Sequence, residues 1–184
     1  IAPSAILSLA ADQILNTSID FSWTSPGDDG ISGMASSYLL RWFFNPIDAL
    51  NWNNAPDFTG LPVPAVSGTK QTYIAIGLQP DTTYYFAIRA LDEAGNLSPL
   101  SNLLQAKTKR NPPVEIKNLQ AVPAPNNFVN LSWDAPDFAY SDIKYTVIRN
   151  TVGGIATYQL TPNDTIILSD STASTLSDAG RSPG

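Results

Sequence analysis

Residues 77–90, GLQPDTTYYFAIRA, decide the fold of this chain. Pro80 fixes its own backbone φ angle, and Asp81 supplies the short polar side chain of a tight turn. After the turn, apolar side chains recur at every second position, which is the period of a β-strand with one buried face. The side chains predicted to point into the core are Tyr84, Phe86, Ile88 and Ala90.

The turn and its tyrosine carry a second signal. A tyrosine that opens a core strand shortly after a turn is the tyrosine corner of Greek-key β-sandwiches. Leu78 and Pro80 belong to this turn, and Tyr84 follows it. We therefore predict an all-β sandwich in which these three residues are structural.

Other alternating segments predict the remaining strands. Residues 18–23 place Trp23 inward, and residues 38–42 place Tyr38 inward. Large aromatic side chains at such positions anchor a core, so both are expected to be structural. With the strand after Tyr84, seven strands are expected, the others over residues 2–10, 70–76 and 101–108 and within the long connection 43–70.

The pattern then restarts, as an internal repeat does. Trp133 stands where Trp23 stood, and Tyr145 stands close to the position of Tyr38. Two prolines stiffen the segment between the copies. The predicted organisation is a first domain over residues 1–108, a Pro-rich linker over 109–113 and a second domain over 114–184.

The second copy is predicted to be incomplete at its end. Residues 180–184 match the turn before Tyr84, and the sequence stops there. Counterparts of the last two strands are therefore missing, and half a sheet with an exposed apolar face is not expected to be stable alone. Either the polypeptide continues, or a neighbouring chain donates the missing strands.

A longer motif points to a family. Residues 23–30 read WTSPGDDG, residues 33–41 supply Gly-x-Ala-x-x-Tyr-x-x-Arg, and residues 78–84 supply Leu-x-Pro-x-Thr-x-Tyr. This pattern resembles fibronectin type III domains, in particular those of secreted bacterial proteins and of calcium-activated chloride channel regulators. The resemblance covers residues 1–108. It implies tandem immunoglobulin-like Greek-key sandwiches and an extracellular location, secreted or at the cell surface.

Composition narrows the possible functions. Ten Lys and Arg against 16 Asp and Glu give a net charge of −6, whereas nucleic acids and anionic membrane surfaces attract basic proteins. The chain has neither Cys nor His, so the usual nucleophile–base pairs are unavailable and no enzyme is expected. No apolar run approaches the roughly 20 residues that span a membrane, so no membrane insertion is expected.

A calcium site was considered at the loop after Trp23. Asp28 and Asp29, with Asp20 or Asp92 nearby, could supply the oxygen ligands that Ca²⁺ prefers. Adjacent aspartates in a Gly-rich turn also bond to their own backbone. Because the spaced D-x-D-x-D pattern is missing, the turn interpretation is favoured and no cofactor is expected.

Three aromatic residues are the best candidates for a binding surface: Phe43, Phe44 and Trp52. Together with Trp42 they could stack on sugar rings or anchor a protein interface. The alternative is that Trp42 packs in the core and the other three hold the long connection down. An exposed cluster would favour a partner such as a polysaccharide.

Four Asn-x-Ser/Thr triplets could accept N-glycans in a secretory setting, beginning at Asn16, Asn96, Asn130 and Asn163. The leading functional prediction is a non-catalytic spacer or assembly module, whose partners are other domains or subunits of a larger surface protein. The alternatives are a carbohydrate- or polymer-binding accessory module and a polymerising subunit completed by strand donation.

Overall fold

The structure, a computed structural model, describes residues 1–29, 32–112, 115–125, 128–134, 145–150, 164–171 and 175–179. Every described element is a β-strand except one turn of 3-10 helix, Trp52–Asn54, which confirms the all-β prediction. The chain forms two compact units, Ile1–Asn111 and Pro112–Gly184. The boundary between them falls inside the segment 109–113.

Six strands build the first unit: β1 Ala10–Ile14, β2 Ser18–Thr24, β3 Ser37–Phe43, β4 Lys70–Ile76, β5 Thr83–Leu91 and β6 Leu104–Lys107. One sheet has the order β1-β2-β4 and the other has the order β3-β5-β6. All pairs are antiparallel. The core lies between the two sheets.

Aromatic pairs join the two sheets across this core. Trp23 of β2 is 1% exposed and meets the ring of Tyr38 of β3 edge-on, with 5.2 Å between ring centroids. Phe21 and Phe86 make the same kind of contact at 4.8 Å. Such edge-to-face pairs contribute about 0.5–1.5 kcal/mol each beyond the area they bury.

The turn before β5 has the geometry of a tyrosine corner. The backbone N–H of Gln79 donates a hydrogen bond to the hydroxyl of Tyr84 at 2.9 Å. Tyr84 is buried, and Leu78 is buried next to it in the main core. Pro80 is only partly buried and serves the turn, whose next residue, Asp81, has a φ of 52°. Asp is one of the few residues that tolerate this left-handed conformation.

The first strand lies later than predicted. A strand was expected over residues 2–10, but β1 is Ala10–Ile14. Ile6 and Leu9 are buried, and the side chain of Asn102, instead of a paired strand, bonds to the backbone beside them. Asn102 accepts a hydrogen bond from the N–H of Leu9 and donates one to its carbonyl, each at 3.0 Å.

The prediction of a strand inside the connection 43–70 was wrong. In this segment the structure has the 3-10 turn and a single antiparallel bridge between Asp57 and Arg41 of β3. The first unit consequently has six strands rather than the seven expected. The connection is instead folded against the outer face of a sheet, as described below.

The last strand, β6, is also shorter than the expected 101–108. The hydroxyls of Ser98 and Ser101 accept hydrogen bonds from the backbone N–H groups of Ala90 and Ile88, both at 3.0 Å. These two serine side chains therefore bond to the end of β5, with which a longer β6 would have paired.

The second unit contains β7 Gln120–Ala124, β8 Phe128–Ser132, β9 Tyr145–Asn150, β10 Asp164–Ser171 and β11 Thr175–Ala179. The order β7-β8-β11 repeats β1-β2-β4, and β9 pairs with β10. Trp133 and Tyr145 meet edge-on at 5.3 Å, as Trp23 and Tyr38 do. No described strand takes the place of β5 or β6, and residues 157–160 and 180–184 lie outside the described part.

The loop after β5 is organised by one buried carboxylate. Asp92 Oδ1 accepts hydrogen bonds from the N–H groups of Ala94 at 3.0 Å and Asn96 at 2.7 Å. Its Oδ2 accepts a third from Asn96 Nδ2 at 2.7 Å. These bonds stabilise the charged form, so the Asn96 side chain, followed by the backbone donors, lowers the pKa of Asp92.

Replacing Tyr84 with Phe tests the tyrosine corner. Tyr84→Phe leaves the Gln79 N–H without a partner in a part-buried site, so we expect the free energy of unfolding to fall by about 1–2 kcal/mol. Urea unfolding followed by Trp fluorescence measures the change. Tyr85→Phe, on the opposite face of β5, is the matched control. Equal effects of the two substitutions would contradict the assigned role.

Replacing Asp92 with Asn tests the role of this carboxylate in the loop after β5, because its contribution to stability should depend on pH. A carboxylate with a depressed folded-state pKa stabilises the fold above its unfolded pKa of about 3.9 and loses this effect as pH falls through the folded value. Asp92→Asn should therefore lower the urea midpoint at pH 7, and the difference from the native chain should shrink towards pH 3. Asp57→Asn makes the same change at an exposed aspartate and is the matched control at pH 7.

Candidate functional site

The outer face of the sheet β3-β5-β6 is covered by its own chain. Residues 44–57, here called the cover loop, follow β3 and fold back over this face. Ile47, Trp52 and Ala55 of the loop are buried against Ala87 of β5. Because alanine has a short side chain, the Trp52 ring can lie close to the sheet.

Two arginines flank the buried tryptophan. The guanidinium carbons of Arg41 and Arg89 lie 4.8 and 5.0 Å from the centroid of the Trp52 ring. Arg41 Nη1 also donates a hydrogen bond to the Trp52 carbonyl at 2.6 Å. Each cation–π contact contributes about 0.5–2 kcal/mol, depending on how far it is removed from water. The arginines thus fix the cover loop to the sheet.

The three candidate aromatic residues have different surroundings. Trp52 is only 2% exposed, and Phe43 is partly buried against the same cluster. Phe44 is 49% exposed and packs against Trp42 and Tyr84, with 5.3 and 5.4 Å between ring centroids. The burial of Trp52 agrees with the alternative in which the rings hold the connection down, and a ligand-binding role for Phe43 and Phe44 stays a prediction.

The aspartates that are candidate calcium ligands have different surroundings. The Asp29 N–H donates to the Ser32 carbonyl at 3.1 Å, the Asp92 carboxylate accepts hydrogen bonds from its own loop, and Asp28 Oδ1 is buried without a hydrogen-bond partner among the described residues. Asp28 donates its backbone N–H to the Ser32 carbonyl at 2.6 Å, as a turn residue does. Burial, and then the neighbouring Glu93, raises the pKa of Asp28.

The remaining aspartate of that set, Asp20, lies in β2 and pairs with Ile74 of β4. In the described part of the chain, no group of three or more acidic side chains is placed to hold a metal ion. The backbone of Asp28 and Asp29 forms a turn with Ser32, and bonds from their side chains to their own backbone stay a prediction.

Two of the predicted glycan acceptors already use the nitrogen that would carry the sugar. Asn16 Nδ2 donates to Asn111 Oδ1 at 2.8 Å, and Asn96 Nδ2 donates to Asp92. Asn130 lies exposed in β8, and Asn163 lies outside the described residues. A glycan on Asn16 or Asn96 would replace one of the two Nδ2 hydrogens, so only the other could still make the observed bond.

The junction at the end of the first unit, residues 108–111, is bonded closely to the sandwich. Thr108 is 2% exposed. Its hydroxyl accepts from the Thr82 N–H at 2.9 Å and donates to the Gln79 carbonyl at 2.6 Å. The Lys109 N–H then donates to the Leu15 carbonyl at 2.9 Å. The chain leaving β6 is therefore tied both to the tyrosine corner and to the turn after β1.

Ion pairs extend the same junction on its surface. Asp81 donates its N–H to the Lys109 carbonyl at 3.1 Å. The Asp81 carboxylate pairs with Lys107 Nζ at 2.7 Å and lies 3.6 Å from Arg110 Nε. The hydrogen bond from Lys107 is the first cause that lowers the pKa of Asp81. Together with the bond from Asn16 to Asn111, these contacts make residues 109–111 part of the first unit.

The junction was not predicted, because residues 109–113 were assigned to a linker. The available signal was charge: the acidic turn residue Asp81 precedes β5, and a basic segment, Lys107 to Arg110, begins at the end of β6. Among the described residues, no helix is long and apolar enough to cross a membrane.

The chain is similar to parts of much longer proteins. It is 24% identical over 176 residues to "Phosphatidylinositol phosphatase PTPRQ" of Rattus norvegicus, an alignment that covers 89% of this chain. It is 34% identical over 82 residues to "Receptor-type tyrosine-protein phosphatase F" of Homo sapiens, which covers 45% of this chain. The chain spans 7% and 4% of the lengths of these two relatives.

Among solved structures, the chain is similar to the "Crystal structure of chicken CNTN1 FN1-FN3 domains". It has 16% sequence identity and a TM-score of 0.42, and the match covers 96% of this chain and 55% of that one. The family model described as "Fibronectin type III domain" matches residues 2–107. This match includes more than half of the 184 residues and contains both sheets and the tyrosine corner. The chain belongs to the fibronectin type III domain family.

Proposed function

We propose that this chain is a non-catalytic spacer and interaction module in the extracellular part of a larger protein, either secreted or held at the cell surface. Family membership supports an interaction module, and one relative is named as receptor-type. The relatives are far longer than this chain, which supports a place among several domains.

The observation that carries the spacer role is the bonded junction. A spacer transmits position and force only if the segment leaving each domain is held by it. Residues 108–111 meet this requirement through the buried Thr108 hydroxyl, the Lys109 bond to Leu15 and the ion pairs of Asp81. Force applied at Asn111 would reach the sandwich through several bonds in parallel.

Buried and exposed contacts contribute unequally to this junction. The ion pairs of Asp81 lie at side chains that are 38–55% exposed, so each is worth at most about 1 kcal/mol. The Thr108 hydroxyl is buried, and removing it would leave a backbone donor and a backbone acceptor without partners. Thr108 is therefore the residue on which the rigidity of the junction depends most.

Substituting Thr108 with Val tests the proposal. Thr108→Val keeps the shape of the side chain but removes the hydroxyl, and we expect the first unit to lose about 1–3 kcal/mol of unfolding free energy. In the native chain, ¹⁵N relaxation should give order parameters of about 0.85 for Lys109–Asn111, as in rigid backbone. In the variant these values should fall while β5 stays ordered.

Thr59→Val is the matched control, because Thr59 is exposed and lies far along the chain from the junction. It should change neither the order parameters nor the stability by more than about 0.5 kcal/mol. Order parameters below about 0.6 at Lys109–Asn111 in the native chain would contradict the spacer proposal, because such values indicate a flexible segment.

A further inference from the structure

The first unit presents four sheet edges, and three of them are protected. β1 carries a bulge between Ala11 and Gln13, and β6 has only four residues and ends at Lys107. The outer edge of β3 is occupied by the cover loop, since Trp42 donates to the Pro56 carbonyl at 3.0 Å. Bulges, short strands, terminal lysines and covering loops are the usual means by which proteins prevent edge-to-edge pairing.

Among the described residues, no loop forms a backbone hydrogen bond with the fourth edge, β4, although the hydroxyl of Tyr73 donates to the Thr59 carbonyl at 2.9 Å. Lys70–Ile76 is seven residues long and pairs with β2 in unbroken register from Lys70 opposite Thr24 to Ile76 opposite Ser18. It contains no proline and no bulge, and its single charge lies at its first residue. β4 is the last strand of its sheet, so one of its edges has no strand neighbour among the described residues.

The alternation of hydrogen-bonded and free positions along β4 shows which backbone groups face this free edge. The Ser25 N–H donates to the Thr69 carbonyl at 2.8 Å, just beyond the end of the β2–β4 pair. In an antiparallel ladder, bonded and free positions alternate, so the odd-numbered residues of β4 bond to β2. The N–H and C=O groups directed at the free edge belong to Lys70, Thr72, Ile74 and Ile76.

The same four residues place their side chains on the outer face of the sheet. Ile74 is 57% exposed and Ile76 is 76% exposed, and Lys70 and Thr72 are also exposed. The residues whose backbone groups face the free edge therefore also form an exposed stripe of β-branched side chains, which consists of Thr72, Ile74 and Ile76. Backbone groups provide affinity in strand addition, and alternate side chains provide its specificity.

We propose that the free edge of β4 pairs antiparallel with β4 of a second copy of this chain, with the two-fold axis at Tyr73. Tyr73 is the middle residue of the strand, so all seven residues take part. Thr72 of one copy then lies opposite Ile74 of the other, and both are β-branched residues that favour cross-strand packing.

Charge placement supports a second copy as the occupant. In this register Lys70 lies opposite Ile76, and the two lysines lie at opposite ends of the paired strands. No like charges face each other along β4, although the chain as a whole carries a net charge of −6. Two identical antiparallel strands form a closed, two-fold interface, which joins the two sheets into one of six strands.

Sedimentation equilibrium of the native chain from low to high micromolar concentration tests the pairing. We expect a monomer–dimer equilibrium, and Ile74→Lys should weaken it at least tenfold by placing a charge in the stripe. Leu50→Lys introduces the same charge at a side chain that is 92% exposed in the cover loop, and it should leave the equilibrium unchanged.

A second variant tests the backbone edge itself. Thr72→Pro removes an N–H that the β2–β4 ladder does not use, so the monomer should keep its fold by circular dichroism while dimerisation is lost. If Thr72→Pro does not fold, the comparison of Ile74→Lys with Leu50→Lys decides whether the dimer forms through β4. A native chain that stays monomeric throughout, or a dimer equally sensitive to Ile74→Lys and Leu50→Lys, would overturn the proposal.

This inference rests on the interaction role proposed for the module but not on its junction. The order parameters of Lys109–Asn111 are measured separately and do not depend on β4. A rigid junction in a monomeric chain would remove the pairing and keep the spacer role. A dimer with a flexible junction would keep the pairing and remove the spacer role.

Discussion

The first unit depends on the burial of β5 on both faces. Phe86 and Ile88 point into the core between the sheets, while Ala87 on the opposite face is equally buried beneath the cover loop. Antiparallel sheets usually leave one face to water. Here a third layer, the cover loop, lies on part of the second sheet, and Trp52 is its main contact. The tyrosine corner sets where this central strand begins.

Much of this arrangement could be predicted from the sequence, because a period of two is a local signal. β2, β3, β4 and β5 lie where alternation indicated, within a residue or so at each end. The first strand was misplaced because an edge strand was predicted over residues 2–10, whereas the backbone bonds of Leu9 come from the side chain of Asn102, which is 93 residues away along the chain. No local pattern contains that information.

The candidate sites show the same division between local and long-range information. Composition could place aromatic rings in the connection after β3, but it could not determine that Arg41 and Arg89 would hold Trp52 against the sheet. That contact joins two strands and a loop. The turn role of Asp28 and Asp29, in contrast, depends on neighbours within a few residues and could be inferred directly. The junction at Thr108 was missed because its partners are distant along the chain, in the turn before β5 and in the turn after β1.

The cover loop has a consequence for how this domain can vary. Outward-facing positions of a sheet normally accept many substitutions, because water tolerates most polar side chains. Beneath Trp52, however, any side chain larger than that of Ala87 would push the ring away, and loss of either arginine would leave the indole less well held. In related chains that keep this loop, the outward positions of β3 and β5 should therefore diverge as slowly as core positions, and sequence drift should concentrate on the exposed loop tips.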